Sequence, residues 1–436
     1  PSKQGKTSGD GRSVWNGQVT HKGITWDISS CGTGATKLAP ACVKKKRFFK
    51  TGDPSISYGC GCSEKDEGMS AAIFSEVMNL NSIRTERVLA IISHHKGLSI
   101  NVRAHPNLLR PSHFFAPLKQ NNYAYLKNMY DYYINRQKQN GFWHDYPKDE
   151  NKGYDYFLNK VVRNFATMVA QFEDEYIFCW LDWDGDNILM DGSIIDYGSI
   201  RQFGLFHHEY RYDDVERFST SITEQKAKTK YLIQTFVQMI DFLKHKKRKP
   251  IKNFDRHYIL KEFDRIFEFE KDQNMLYKMG LNRRQVNRLL EKHRKVVREF
   301  RKAFSYFEKV KSMKGLKKVS DGINWSAIFC MRDILREYPQ IMQTREGHLM
   351  DDEFIEIIKS SYATKKDLIS NSYRKKMINK FQTGYLKLIE HAARDDNKSV
   401  KNVLLEITMR SSVINKYDRI TGDAVSVIVE QILSKN

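Results

Sequence analysis

Carboxylates crowd into one short stretch of this 436-residue chain, with apolar strand-like segments on both sides. The polar members of the stretch are Asp182, Asp184, Asp186, Asn187, Asp191 and Asp196. Carboxylates repel one another, and burying them beside apolar strands is costly unless a cation or a proton compensates. A hard divalent cation with oxygen ligands is the natural compensation. The stretch therefore predicts a metal site on a hairpin that turns at Asp191-Gly192.

Two other interpretations of this cluster are open. A calcium-binding loop would use Asp182, Asp184 and Asp186 as its first ligands, but it needs Gly where Asn187 stands and Glu where Ser193 stands. Alternatively, the cluster is a set of turn-forming aspartates at the ends of a hairpin. Both departures from the calcium loop fall at essential positions. We therefore favour a metal site that serves catalysis.

The order of the predicted elements divides the chain into two parts. Strands are predicted over residues 13–20, 24–29, 87–92 and 98–103, and between them one helix is predicted to begin with Ser63 as its cap, in the capping-box-like stretch Ser63-Glu64-Lys65-Asp66. Beyond residue 114 the pattern is mainly helical, and its clearest helix begins at the good cap Asn282 and continues to Phe307. Single cores stop growing near about 250–300 residues, so two lobes are expected. We predict an α+β protein with a strand-rich N-lobe (1–113) and a helical C-lobe (114–436), whose hairpin spans 180–198.

Composition narrows the class of protein but does not name its function. Lys and Arg total 73 against 52 Asp and Glu, a net charge of +21, which attracts polyanions but is also typical of solvated basic surfaces. No standard nucleic-acid motif accompanies the charge, so nucleic-acid binding ranks last. No run approaches the roughly 18 apolar residues of a membrane span. The six cysteines follow no disulfide-scaffold spacing, and we expect a cytoplasmic protein.

The carboxylate stretch fits the chemistry of phosphoryl or nucleotidyl transfer. In kinases one Asp accepts the proton of the nucleophile, while an Asn and the Asp of Asp-Phe-Gly hold metal ions on the phosphates. Asp186, Asn187 and the Asp196-Tyr197-Gly198 segment supply the same set of groups. Asp186 and Asn187 are adjacent, unlike in the protein-kinase catalytic loop, so a standard protein kinase is disfavoured.

Three stretches, in order along the chain, resemble the selenoprotein O family, kinase-like proteins that transfer AMP from ATP to protein hydroxyls. Gly9-Asp10-Gly11-Arg12 is similar to that family's Gly-Asp-Gly-Arg, and residues 102–110 resemble its Val-Arg-x-x-Pro-Ser-His-x-Arg. Asp186-Asn187 and Ile195-Asp196-Tyr197-Gly198 resemble its Thr-Asp-Asn-Met and Ile-Asp-Tyr-Gly, with the same ten-residue step between the aspartates.

The resemblance implies a protein-kinase-like bilobal fold and a role for each matching residue. Asp186 would be the general base for the acceptor hydroxyl, and Asn187 and Asp196 would bind Mg²⁺ or Mn²⁺. The triphosphate of ATP would be held by Gly9, Gly11, Arg12, Arg103 and Arg110. Arginine suits this task because its planar fork donates paired hydrogen bonds to phosphate oxygens. The implied partners are proteins that carry Ser, Thr or Tyr hydroxyls, including the chain itself.

The nucleotide end of the site departs from the family pattern. The family's phosphate-binding Lys falls at Cys31, and the helix Glu that pairs with it falls at Ala71. A pocket for a triphosphate needs compensating cations. We therefore expect Lys37, or another nearby Lys, to supply the cation and Glu67, one helical turn before Ala71, to supply the carboxylate.

These observations predict a metal-dependent protein adenylyltransferase. One alternative is a kinase-like pseudoenzyme that binds nucleotide or a partner without catalysis, which the loss of the Lys favours. The other is a divergent kinase that attacks the γ-phosphate, because the loops that orient the nucleotide are the remodelled ones.

Overall fold

The structure of the protein is a computed structural model. It describes residues 13–33, 61–94, 97–179, 181, 185–195, 197, 201–202, 222–312, 317–318, 324–325, 327–345, 347–361, 363–416 and 422–435. Among these residues no helix combines the length and the apolar character needed to cross a membrane.

An antiparallel four-stranded sheet opens the described part of the chain. Strands β1 (Ser13–His21) and β2 (Ile24–Cys31) form a hairpin whose turn residues, Lys22 and Gly23, both have positive φ. Strands β3 (Arg87–Ser93) and β4 (Ser99–His105) complete the sheet in the order β1-β2-β4-β3. The four strands predicted from the sequence are confirmed.

One face of this sheet is unusually polar. Ser29 lies opposite Arg103, and Cys31 lies opposite Asn101, so these four side chains project from the same face. All four are buried. Burying polar groups is unfavourable unless they are hydrogen-bonded, so this face must be matched by polar partners rather than by an apolar layer.

Helix α1 (Lys65–Leu80) packs on β3 and β4 and approaches the polar face closely. At Gly68 an added Cβ would collide with the Asn101 side chain, so this approach requires glycine. The helix was predicted to begin with a Ser63 cap, and this prediction is wrong. Glu64 occupies the N-cap without a side-chain bond, because Ser63 is tied to β4: its hydroxyl accepts from Asn101 Nδ2 at 3.0 Å and donates to Glu67 at 3.2 Å.

The rest of the described chain is mainly helical. The helices are α2 (Pro111–Lys119), α3 (Tyr123–Gln139), α4 (Glu150–Asp174), α5 (Glu224–His245), α6 (Tyr258–Lys278), α7 (Arg283–Lys292), α8 (Arg294–Lys309), α9 (Met331–Thr344), α10 (Asp351–Ile358), α11 (Ser372–Asp396), α12 (Val400–Ile414) and α13 (Gly422–Ser434), with a short 3-10 turn at Ile251–Phe254. Two small strand pairs join β5 (Ile177–Phe178) to β6 (Arg201–Gln202) and β7 (Lys317–Lys318) to β8 (Asn324–Trp325).

Two hydrophobic cores hold these elements together. The first runs from Phe74 in α1 through α4, α5 and α6, and it includes Val425 and Val429 of α13, which returns to pack on α1. The second is built from α7 to α12 and the end of α6. The α+β class is confirmed, whereas the kinase-like bilobal arrangement and the lobe boundary at residue 113 stay predictions.

The helix predicted to run unbroken from Asn282 to Phe307 is interrupted. Asn282 caps α7 as expected, accepting from Gln285 N at 2.9 Å. At His293 the backbone leaves the helical region (φ −123°, ψ 26°), and α8 begins at the next residue. The His293 ring stacks on His391 of α11 at 3.8 Å. The break therefore coincides with a tertiary contact. No Gly or Pro marks this position in the sequence.

Helix α3 fastens the sheet to the helical region through buried polar contacts. Asp27 of β2 pairs with Arg136 at 3.2 Å, and both side chains are almost fully buried. The Asn140 amide, at the end of α3, accepts from Thr25 N at 2.9 Å and donates to Thr25 O at 3.0 Å. Asp27 also accepts from the backbone N–H of Leu108 at 3.1 Å. The sheet and the segment that leaves β4 are thus held by one buried carboxylate.

We expect Asp27→Ala to lower the free energy of unfolding by about 3 kcal/mol, because it leaves the buried Arg136 guanidinium without its counter-charge. Asp131→Ala breaks the partly exposed Lys127–Asp131 pair on the surface of α3 and should cost less than about 1 kcal/mol. Chemical denaturation of both variants checks this. Equal, small losses would show that the Asp27–Arg136 pair does not hold the sheet in place.

Candidate active site

The carboxylate stretch forms the predicted hairpin, although its strands are very short. Leu189 N donates to Ser193 O at 2.8 Å, and Gly192 lies in the turn with positive φ. Ile188 pairs with Ile194 in a single bridge. Ile194, in the second strand of the hairpin, also bonds on its other side with residues 84–86, where Glu86 N donates to Ile194 O at 3.1 Å. The hairpin is therefore attached to the segment that leads into β3.

Asp186 is held in one orientation from two sides. Its side chain is buried, and its Oδ1 accepts from Ser112 Oγ at 3.0 Å. The Arg110 guanidinium lies 3.2 Å from the same oxygen and donates to the Asp186 carbonyl at 2.9 Å. Gly185, with positive φ, lies so close to Pro111 that a Cβ would approach the proline ring at 2.6 Å. The start of α2 and the segment at Gly185 and Asp186 are therefore packed and hydrogen-bonded together.

Arg103 joins the polar face of the sheet to the hairpin. It forms a buried pair with Glu86 at 3.4 Å, and it donates to Ile195 O at 3.5 Å, immediately before Asp196. Further bonds run to Ser29 Oγ at 3.3 Å and Ser13 Oγ at 2.6 Å. The guanidinium thus contacts β1, β2, the residue before β3 and the hairpin.

Tyr197, the residue that follows Asp196, packs against helix α1. Its ring stacks on Phe74 at 6.2 Å with an interplanar angle of 7°. Its hydroxyl bonds with the Thr85 hydroxyl and donates to Glu86 O at 3.4 Å. This position couples the hairpin to the helix that carries Glu67.

Asp191 belongs to the structure of the hairpin and not to the candidate metal site. Its carboxylate accepts from Ser193 N at 3.0 Å and lies 3.4 Å from His105 Nε2. Burial opposes the charge on both groups, but their mutual attraction raises the pKa of His105 and lowers the pKa of Asp191. The pair therefore closes the hairpin turn onto the end of β4.

The residues around Asp186 have the donor set of a hard divalent cation, because carboxylate and amide oxygens are the ligands that Mg²⁺ prefers. Asp186 and the partly buried Asn187 supply one of each. Among the described residues no three His, Cys, Asp or Glu side chains converge to hold a metal ion. Asp182, Asp184 and Asp196 lie outside those residues.

The predicted site residues divide into two groups. Gly9, Gly11, Arg12, Lys37 and Asp196 lie outside the described residues, so their roles stay predictions. The described ones are Glu67, Arg103, Arg110, Asp186 and Asn187. The structure brings Arg110 to Asp186 and Arg103 to the backbone before Asp196, while Glu67 accepts from Ser63.

Sequence reasoning did not single out three residues of this site. Ser112 and His113 follow directly after Arg110, so proximity to that motif could have suggested them. Glu86 carries no comparable signal, because it stands among polar residues at the start of a strand that looks ordinary in the sequence. Only the tertiary contact with Arg103 reveals it.

We expect the His113 side chain to stay neutral in the folded protein at pH values well below those at which a histidine is usually protonated. Burial and the neighbouring Arg110 guanidinium lower its pKa to about 4, against the weaker pull of Asp186. Since the unfolded chain binds this proton more tightly, its protonation destabilises the fold as pH falls from about 6.5 towards 4. NMR titration of the ring checks this, with His113→Gln to assign the signal. A midpoint near 6.5 would contradict it.

Comparison with known proteins identifies the family of the chain. The family model described as protein adenylyltransferase SelO matches residues 66–420, most of the chain, and includes every described residue around Asp186. No curated protein matches the sequence. The matched range contains the second and third of the three resembling stretches, at residues 102–110 and 186–198, and the match agrees with the α+β structure. The chain belongs to the SelO family of protein adenylyltransferases, which are nucleotidyltransferases.

Proposed function

We propose that this protein transfers AMP from ATP to Ser, Thr or Tyr hydroxyls of protein substrates in a reaction that depends on Mg²⁺ or Mn²⁺. The observation that carries the proposal is the buried Asp186 carboxylate, oriented by Ser112 and Arg110 and followed directly by Asn187. A general base must be held within reach of the proton that it removes. Membership of an adenylyltransferase family supports the reaction class.

In the proposed reaction the substrate hydroxyl oxygen attacks the α-phosphorus of ATP. A bond forms between that oxygen and the α-phosphorus, and the bond from the α-phosphorus to the bridging α–β oxygen breaks. The proton passes to Asp186, and pyrophosphate leaves with the electron pair. Such transfer relies mainly on positioning and charge neutralisation.

The remaining residues have proposed roles in holding the nucleotide. Asn187 and Asp196 would bind the divalent cation, which would neutralise charge on the phosphates. The triphosphate would lie against Gly9, Gly11, Arg12, Arg103 and Arg110. Arg110 contacts Asp186 in this structure, so a phosphate held by Arg110 would lie close to the base. Lys37 and Glu67 would supply the charges that Cys31 and Ala71 lack.

A pseudoenzyme that binds nucleotide without catalysis is the second candidate. Cys31 is buried on the polar face of the sheet and carries no positive charge there. The absence of the family's phosphate-binding Lys at this position would weaken binding of the triphosphate. The ordered contacts at Asp186 argue against this candidate, because a protein without catalysis has no need to orient a base.

Whether label reaches protein from the α- or from the γ-phosphate of ATP distinguishes AMP transfer from phosphoryl transfer and from no catalysis. The protein is incubated with Mn²⁺ and with ATP labelled at either the α- or the γ-position. We expect label on protein only from the α-position, and we expect Asp186→Asn to lower its rate about 100- to 10,000-fold by removing the base. Asp131→Asn, on the surface of α3, is the matched control. Transfer from the γ-position alone would make the protein a divergent kinase, and no transfer from either would favour the pseudoenzyme.

Asp196→Ala should abolish the dependence of ATP binding on Mg²⁺ or Mn²⁺ while the fold is kept, because it removes a carboxylate that the cation needs. ATP affinity is measured by calorimetry with each metal and with chelator. A circular dichroism spectrum confirms that the variant is folded. If metal-dependent affinity and transfer are unchanged, Asp196 is not a metal ligand.

A further inference from the structure

A buried ion pair lies on the polar face of the sheet, close to where the family's phosphate-binding Lys would stand. Glu86 and Arg103 are paired at 3.4 Å, and their side chains are 1% and 9% exposed. Arg103 lies opposite Ser29, two residues from Cys31 along β2, and Ser13 lies opposite Cys31 on β1. The guanidinium therefore issues from the same face as Cys31 and from the neighbouring strand.

Glu86 is incompletely satisfied in this pair. Its Oε1 faces Arg103, whereas its buried Oε2 has no hydrogen-bond partner. The contact is single and long, unlike the paired short bonds of a strong Arg–carboxylate interaction. Burial raises the pKa of Glu86, although Arg103, Arg110 and His105 all favour its charged form. Glu86 therefore holds Arg103 through fewer and longer bonds than a phosphate could offer to the same guanidinium.

The pair also touches the hairpin that carries the candidate metal residues. Arg103 donates to Ile195 O at 3.5 Å, and Glu86 N donates to Ile194 O at 3.1 Å. The Arg103 guanidinium thus contacts the residue that directly precedes Asp196. Phosphates held at this hairpin would lie near both members of the pair and would compete with Glu86 for the guanidinium.

We propose that Glu86 is a specificity-determining residue that occupies Arg103 in the free protein and yields it to the phosphates of ATP. This inference rests on the proposed function, because it assumes that ATP is bound at the hairpin. Glu86 lowers the attraction of the site for the triphosphate, since its negative charge cancels that of Arg103. The adenosine part of the ligand does not sense the exchange.

The test is the affinity of the purified protein for ATP with Mn²⁺ and for adenosine, measured by calorimetry. Glu86→Gln keeps the shape and an acceptor for Arg103 but removes the charge. We expect it to tighten ATP binding about five- to tenfold, in line with charge coupling at short range, and to leave adenosine binding unchanged. Damage to the fold would weaken both ligands, so the sign of the change separates the proposal from a structural role.

A double-mutant cycle shows whether Glu86 acts through Arg103. In the Arg103→Met background, Glu86→Gln should change ATP affinity less than about twofold, because no guanidinium remains to be released. Glu76→Gln, in the exposed Arg87–Glu76 pair of the same region, is the matched control and should have no effect.

Three results would overturn the inference: unchanged or weaker ATP binding by Glu86→Gln, equal tightening of adenosine, or the full effect in the Arg103→Met background. If the unmodified protein binds ATP but Glu86→Gln does not change the ATP affinity, this inference alone fails. If the unmodified protein binds no ATP, the proposed function fails with it.

Discussion

The Arg110 guanidinium contacts both the carboxylate and the backbone carbonyl of Asp186. The rest of the candidate site depends on this interaction. Arg110 stands where the chain leaves the sheet and enters α2, so its side chain connects the segment after β4 to the hairpin that carries Asp186. Gly185 packs directly on Pro111 at the same place. Moving α2 would therefore move the proposed base, and the position of the base is set by the packing of a helix rather than by a loop alone.

The polar face of the sheet explains how the N-terminal region can serve a charged ligand. An ordinary sheet buries an apolar face, but here the buried side chains include Asp27, Ser29, Asn101 and Arg103. Their hydrogen bonds to α3, to Ser63 just before α1 and to the hairpin offset the cost of burial. The same bonds join the sheet to the elements that carry the candidate site. Polarity and positioning are thus two results of one pattern in the strands.

Much of this architecture could be predicted from the sequence, because alternation and spacing determine local structure. The four strands, the Asn282 cap and the turn at Asp191-Gly192 follow directly from residue pattern. The break at His293 and the failure of Ser63 as a cap could not be predicted, because each depends on a partner distant in the chain. Within the site, the motif Asp-Asn was visible, whereas the Glu86–Arg103 pair exists only after β4 has paired with its neighbours.

The central claim is that the α-phosphate, and not the γ-phosphate, lies at Asp186. A crystal structure with Mn²⁺ and an ATP analogue that carries a methylene bridge between the α- and β-phosphorus atoms measures this directly. The account predicts that the α-phosphorus is the one nearest to the Asp186 carboxylate. A γ-phosphorus at that position, with the α-phosphorus remote from Asp186, would contradict it.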